Sequence, residues 1–369
     1  MQSRTAISTH SYLHKVSRRS LCLAGLGLVV TGLELKFRGV VAAAQYMETL
    51  STPKTLLVRQ NNFTNVISWS QHSNLMASGG TSAPIEIWDT TSGKTLTSIQ
   101  SHDDVVLDWS PDGRFLVTAG GVETKIQGTS SNDHPQPIAT MSIWNTHTGA
   151  KVMTTTDMSY INAVAWSPDG TRIALSGSDT QGASVHIYDA PTGKLLLTYR
   201  DQVVSRLAWS PDSRFIASSI DDIIGGVFDR TIRVWNSSTG KTRLIIKGAA
   251  NTLTWSPDGQ MLAYDAGAKI KIIKVATGNT TAAYALPSGG APILSIAWSP
   301  NGDYLACAGG SPQFPDPKGF ALIYDIATGK TTPYQGHTLT ITDLAWSPTG
   351  DRIATSSYDN TIRIWSVHI

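Results

Sequence analysis

Residues 345–365 read Ala345-Trp346-Ser347-Pro348-Thr349-Gly350-Asp351-Arg352-Ile353-Ala354-Thr355-Ser356-Ser357-Tyr358-Asp359-Asn360-Thr361-Ile362-Arg363-Ile364-Trp365. An alternating strand, Ile341 to Ala345, runs into the first Trp. Ser first, Pro second and Gly fourth is the chemistry of a type I turn. Arg352 to Thr355 then reads as a second strand and Thr361 to Trp365 as a third, each with β-branched residues at a period of two. No stretch of this unit has the 3.6-residue period of a helix.

The unit recurs seven times. Trp69, Trp109, Trp166, Trp209, Trp255, Trp298 and Trp346 each open a Trp-Ser turn, at successive spacings of 40, 57, 43, 46, 43 and 48 residues. Ser-Pro-Asp-Gly stands at 110–113, 167–170 and 256–259, with near variants elsewhere. The other four of the eleven Trp (Trp88, Trp144, Trp235, Trp365) end a third strand, and Tyr188, Ile273 and Tyr324 take that place in the remaining units. Five residues later comes a turn Gly: Gly93, Gly149, Gly193, Gly240, Gly278 and Gly329. A fourth strand leads from it into the next unit. Repeats of this length made of four short strands are propeller blades. The composition agrees, with 15% charged residues, 32 Gly and 17 Pro, which excludes coiled coils and charged disordered chains.

The pattern therefore predicts an all-β, seven-bladed β-propeller of four-stranded antiparallel blades. The residue before each first Trp is small or short (Ser68, Asp108, Ala165, Ala208, Thr254, Ala297, Ala345), which suits strands converging on an axis. The Trp beside it points the other way and packs between blades. The last unit lacks a fourth strand. Residues 54–69 align without gaps on 194–209, so the orphan strand Thr55 to Arg59 is expected to complete the last blade and close the ring.

Gly336-His337, Asp359 and Trp365 together resemble a complete WD-repeat signature, and the seven units cover residues 54–369. The resemblance implies a hydrogen-bonded set that stiffens a blade. It carries over only to the last one: His337, Thr355 or Ser356, Asp359 and Trp365. The fourth unit keeps Asp229 and Trp235 but has Arg200 where the His would stand. The Trp-Ser-Pro-Asp-Gly turns also resemble those of TolB-related propellers.

Spacing within the units separates two faces. From the first Trp to the matching second-strand position is nine residues in every unit, and from third-strand end to turn Gly is five. From first Trp to third-strand end it varies between 18 and 35 residues. In an antiparallel blade alternate turns lie on opposite faces, so one face is uniform and the other decorated. The insertions at 120–138, 220–228 and 309–319 fall in blades 2, 4 and 6 of the decorated face. Ile223, Ile224 and Phe314, with Asp221, Asp222 and Asp316 around them, are the candidate anchors for a partner; the alternative reading folds these side chains back to plug the channel mouth. On the uniform face Lys94, Lys151, Lys194, Lys241 and Lys330 lie one or two residues after the turn Gly and are read as a solvated rim.

The function expected is a non-catalytic scaffold that binds a protein or peptide through the decorated face. Two alternatives remain open: a cell-surface glycan or small-molecule binder that uses the channel, and a metal-dependent hydrolase or lyase at its mouth. His102, Asp103, Asp133 and His134 are the weak metal candidates, with no recognised ligand spacing. No Gly-x-Ser-x-Gly nucleophile elbow occurs. No cofactor is expected, and the chain is expected to be monomeric.

Residues 1–44 read as a signal peptide. A basic stretch precedes the apolar run Leu21 to Leu33, and Ala42-Ala43-Ala44 offers a cleavage pattern. Ser17-Arg18-Arg19-Ser20-Leu21 resembles the bacterial twin-arginine signal. An ordinary signal peptide or a retained anchor are the other readings. The expectation is export across a bacterial cytoplasmic membrane to the cell surface or beyond, with residues 45–369 as the propeller and only transient membrane contact. Six of the 29 basic and one of the 27 acidic residues lie in 1–44, which leaves 23 basic against 26 acidic ones in the body. That balance gives no electrostatic reason for nucleic-acid binding.

Overall fold

The computed structural model describes residues 53–367 apart from 61–63, 81–82, 101–105, 125–136, 201–203, 225–226, 249, 268, 287–290 and 311–318. Of residues 121–124, 137–138, 221–224 and 227–230 only the backbone is described. Strand β1 (Thr55–Gln60) precedes the first blade. Blade 1 is β2 (Val66–Trp69), β3 (Leu75–Gly80), β4 (Ala83–Asp89) and β5 (Thr95–Ile99), and blade 2 is β6 (Val106–Trp109), β7 (Phe115–Thr124), β8 (Pro137–Asn145) and β9 (Lys151–Met158). Blade 3 is β10 (Tyr160–Trp166), β11 (Arg172–Asp179), β12 (Gly182–Asp189) and β13 (Leu195–Arg200), and blade 4 is β14 (Val204–Trp209), β15 (Phe215–Ile224), β16 (Val227–Asn236) and β17 (Thr242–Lys247). Blade 5 is β18 (Leu253–Trp255), β19 (Met261–Asp265), β20 (Lys269–Lys274) and β21 (Thr280–Ala285), and blade 6 is β22 (Ile293–Trp298), β23 (Tyr304–Gly309), β24 (Phe320–Asp325) and β25 (Thr331–Tyr334). Blade 7 supplies only β26 (Ile341–Trp346), β27 (Arg352–Ser357) and β28 (Thr361–Ser366) from its own unit.

The seven sheets are each four-stranded, and the seventh runs in the order β1-β28-β27-β26. The first strand of the ring thus completes the last blade. Leu57 pairs with Ile364 and Arg59 with Ile362, and the backbones of Lys54 and Ser366 bond at 2.9 Å. Arg59 then reaches past its own sheet into blade 1. It bonds Glu86 at 2.8 Å, Thr95 at 2.7 Å and the Gly93 carbonyl, and its guanidinium lies over Trp88 at 4.8 Å. Tyr199, the residue aligned with Arg59, does the same between blades 3 and 4 by stacking on Trp235 at 4.2 Å.

The core lies between blades. Each first Trp is buried against the second and third strands of the blade before it, as in the cluster of Ala174, Val185, Ile187, Tyr199, Trp209 and Ile216. The indole N–H of Trp109, Trp209, Trp255 and Trp346 donates to the carbonyl of the preceding blade's pre-Trp residue, at 2.9 to 3.1 Å. A flat, rigid side chain of 150–250 Å² contributes about 4–6 kcal/mol of gross burial at each seam.

The short turns of the uniform face stack as well. Gly170, Gly259, Gly302 and Gly350 each stand over the proline of the preceding blade's turn. All four have φ between 68° and 80°, which explains Gly at the fourth turn position. Blade 4 departs from the pattern with Ser213 at φ 58°, whose hydroxyl accepts the Asp169 N–H.

Candidate functional site

The connections of β7 to β8, β15 to β16 and β23 to β24 leave the same rim, opposite the Trp-Ser turns. Two of the three insertions are more regular than the expected loops. In blade 4 the added residues prolong the hairpin: Asp221 pairs with Arg230, Asp222 with Asp229, Ile223 with Phe228 and Ile224 with Val227. The expectation of an irregular loop over 220–228 is corrected accordingly. Alternation of Ile, Val and Phe favours continued pairing over a loop, and Ile223 and Ile224 take successive positions on β15. In blade 2 the hairpin climbs to the pair Thr124 and Pro137, with a register shift between Gly120 and Glu123.

In blade 6 the stem of the insertion is fixed by close backbone approach. The Gly319 N–H donates to the Leu339 carbonyl at 3.0 Å and the Gly310 N–H to the Pro292 carbonyl at 3.1 Å. A Cβ on Gly319 would stand 2.5 Å from that Leu339 oxygen. Phe314 and Asp316 at the tip lie outside the described residues, as do His102, Asp103, Asp133, His134, Arg18, Arg19 and the whole 1–44 segment. Among the described residues no group of three or more His, Cys, Asp or Glu could hold a metal ion.

Blade 7 carries a continuous polar chain from core to rim. The Trp365 indole N–H donates to Thr355 Oγ1 at 2.9 Å, and Thr355 meets His337 Nε2 at 2.8 Å. His337 Nδ1 meets Asp359 Oδ2 at 2.8 Å. One assignment satisfies every atom: the hydroxyl accepts from Trp and donates to Nε2, and the neutral ring donates from Nδ1 to the carboxylate. Burial lowers the His337 pKa, in keeping with the neutral ring. Burial would raise Asp359, but bonds from Thr361, the Thr338 N–H and His337 outweigh it and hold the carboxyl below its usual range. Of the two hydroxyl candidates Thr355 makes these bonds, whereas Ser356 pairs with Thr342 at 2.9 Å.

The Trp-to-hydroxyl link recurs where sequence reading did not look for it. Trp88 donates to Ser78 at 3.0 Å, Trp144 to Thr118 at 2.9 Å and Trp235 to Ser218 at 3.1 Å. Where Tyr188, Ile273 and Tyr324 replace Trp, the second-strand partner is Leu175, Tyr264 or Cys307 instead. That matched replacement is a readable signal. Blade 3 builds a different chain. Asp179, equivalent to Asp359, meets His186 at 3.0 Å, and the other His186 nitrogen meets the Tyr188 hydroxyl at 3.0 Å. Arg200 bonds Asp179 at 2.8 Å, and this contact holds that carboxyl far below its usual range. The arginine that replaced a His in the fourth unit therefore serves the third.

The innermost strands hold two further carboxyls. Asp108 accepts the N–H groups of Trp109 and, across the seam, Trp166, at 2.9 and 2.8 Å. Asp343 accepts from Ile67 of blade 1 at 3.0 Å, Ser295 of blade 6 at 2.9 Å and Leu344 at 2.9 Å. Burial raises both to about 6 despite these bonds. Each clamps the inner edge of a neighbouring blade.

Comparison with known proteins agrees with this architecture. The family model described as WD domain, G-beta repeat, matches residues 284–311 and 329–366. The matched segments run from the end of β21 through β23 and from the turn before β25 to the end of β28. A second model, described as Eukaryotic translation initiation factor eIF2A, matches residues 48–127 and 135–222. The B-type cell cycle switch protein ccs52B of Medicago truncatula is 27% identical over 322 residues, 83% of this chain and 58% of that protein. Protein FIZZY-RELATED 3 of Arabidopsis thaliana is 26% identical over 320 residues, 83% of this chain and 59% of that protein. The anaphase-promoting complex subunit cdh1 of Dictyostelium discoideum is 25% identical over 311 residues, 82% of this chain and 36% of that protein. The chain thus spans between about a third and three fifths of the length of these relatives.

These relatives are eukaryotic, one named for a cell cycle switch and another for a subunit of the anaphase-promoting complex, which overturns the expectation of a bacterial, secreted chain carrying a twin-arginine signal. The basis of that expectation was thin. An arginine pair ahead of an apolar run is a short pattern without a packing constraint, unlike a repeat that must close a ring.

Proposed function

We propose that this protein is a non-catalytic binding scaffold that recognises a protein or peptide through the face carrying the long connections of blades 2, 4 and 6. The observation that carries this reading is the contrast between the two rims. Turn lengths are constant on one rim, while the hairpin β15–β16 and the insertion stem at Gly310 and Gly319 rise from the other. Length variation at fixed strand length, on a rigid support, is where recognition concentrates. The match to WD repeats and to relatives named for a cell-cycle switch and for a subunit of a complex supports a partner that is itself a protein.

Ile223, Ile224 and Phe314 are the anchors of the proposed surface, with Asp221, Asp222 and Asp316 as its polar rim. Crosslinked pull-down from the source cells with wild type and with the Ile223→Ala/Ile224→Ala/Phe314→Ala variant tests it. The variant is expected to lose one or more specific partners while melting as the wild type does. Equal recovery of every partner by both proteins would remove these residues from the reading.

A further inference from the structure

On the uniform face two blades cover their seam with an arginine, and the other five carry Leu75, Phe115, Phe215, Met261 or Tyr304 at the same position. Six residues after each first Trp, a side chain lies beside the first Trp of the next blade. In blade 3 this is Arg172, over Trp209 at 5.0 Å and bonded to the Ser213 carbonyl at 2.7 Å. In blade 7 it is Arg352, over Trp69 at 5.8 Å. Each of these seams is covered by the chain's own guanidinium.

Blades 2 and 4 place Phe115 and Phe215 at that position instead. Each opens a groove toward the next blade, of about 510 Å³ between blades 2 and 3 and about 480 Å³ between blades 4 and 5. The grooves match wall for wall: Pro111, Asp112, Trp166 and Asp169 in one, Pro211, Asp212, Trp255 and Asp258 in the other. Arg114 lies over Phe115 at 5.5 Å as Arg214 lies over Phe215 at 5.9 Å. The difference is the third residue after the turn Gly. In the 4/5 groove it is Arg243, whose guanidinium covers Phe215 at 5.0 Å. In the 2/3 groove it is Val152, 58% exposed, with Met153 beside it.

The walls of the 2/3 groove are suited to a cation. Asp112 and Asp169 each give one carboxylate oxygen to the turn, where Ser110 and Ser167 bond it at 2.6 Å. Their second oxygens stand 3.9 Å from Arg114 Nε and 3.6 Å from an Arg172 terminal nitrogen, beyond hydrogen-bond length.

We propose that the groove between blades 2 and 3 receives an arginine of a partner protein, presented next to an aliphatic residue. The guanidinium stacks on Phe115 as Arg243 does on Phe215, between Asp112 and Asp169, and the aliphatic neighbour covers Val152 and Met153. A planar cation gains both from the ring face and from the carboxylates, which an ammonium or a neutral urea does less well. This site is on the rim opposite the proposed recognition face, so either can fail alone.

Fluorescence anisotropy of the full chain with labelled Gly-Ser-Leu-Arg-Leu-Ser-Gly, and with the same peptide carrying citrulline for Arg, tests the proposal. The arginine peptide is expected to bind about tenfold or more tighter than the citrulline one, as loss of a stacked, paired cation costs about 1–2 kcal/mol. Val152→Arg, which copies the filled 4/5 seam, is expected to weaken it at least about tenfold. Asp169→Asn, which keeps the turn's oxygen acceptor, is expected to erode the preference for arginine over citrulline. Equal affinity for the two peptides, no binding by folded wild type, or unchanged binding by Val152→Arg would overturn it.

Discussion

Thr355 is the residue on which blade 7's polar chain turns, because one hydroxyl both accepts from Trp365 and meets His337. Thr355→Val keeps the shape and leaves a buried N–H and a ring nitrogen without partners, at an expected cost of about 2–4 kcal/mol in urea unfolding. Adding Trp365→Phe removes one orphan, so the double variant is expected to lose less than the two single losses together. A second residue-scale test concerns pH. Asp108 and Asp343 titrate near 6 in the fold and near 3.9 when unfolded. Between about 4 and 6 the fold therefore holds protons that the unfolded chain has released, and their contribution to stability rises as pH falls through that window. His337 acts oppositely: its lowered pKa makes the fold resist a proton that the unfolded chain takes up below about 6.5, so its contribution falls with acid. Carboxyl-carbon NMR is expected to place both Asp midpoints near 6, and Asp108→Asn with Asp343→Asn to flatten the rise. A midpoint below about 4.5 for either, near the ordinary range, would refute this account of its burial. Sequence spacing made His337, Asp359 and Trp365 legible. It could not reveal His186, because that ring joins Asp179 across a hairpin from a place where other blades carry no His.

At the scale of elements, strand number and blade membership were legible because each blade repeats two turn types at fixed offsets, and those turns need particular backbone angles. The tips of the insertions were not. Whether added residues pair or wander depends on cross-strand contacts, and the hairpin β15–β16 pairs as far as Ile224 and Val227. The closing strand β1 offers the clearest element-level test. Arg59→Ala removes a half-buried ion pair with Glu86 and the cover over Trp88, with an expected loss of about 1–3 kcal/mol. Hydrogen exchange is expected to quicken first in β1 and β28, and uniform quickening would mean the seam is not a separate opening unit. Gly319→Ala is expected to cost about 1–3 kcal/mol through the crowded blade 6 stem, with the change in exchange centred on residues 339–341.

For the whole molecule, the ring and its two unlike rims follow from periodicity alone, whereas what each rim binds does not, since partner chemistry sits in the residues that break the period. Phe115 and Val152 illustrate this. Neither is unusual by itself, and their meaning comes only from comparison with Phe215 and Arg243 two blades away. Stitching the first strand onto the last also has a cost during biosynthesis. Lys54 and Ser366 are hydrogen-bonded neighbours separated by 312 positions of chain. At a translation rate of about 5–20 residues per second, β1 leaves the ribosome on the order of half a minute before β28 exists to receive it. For that interval Leu56 and Val58 belong to an unpaired nascent segment, which is the interval in which a chaperone would have to act.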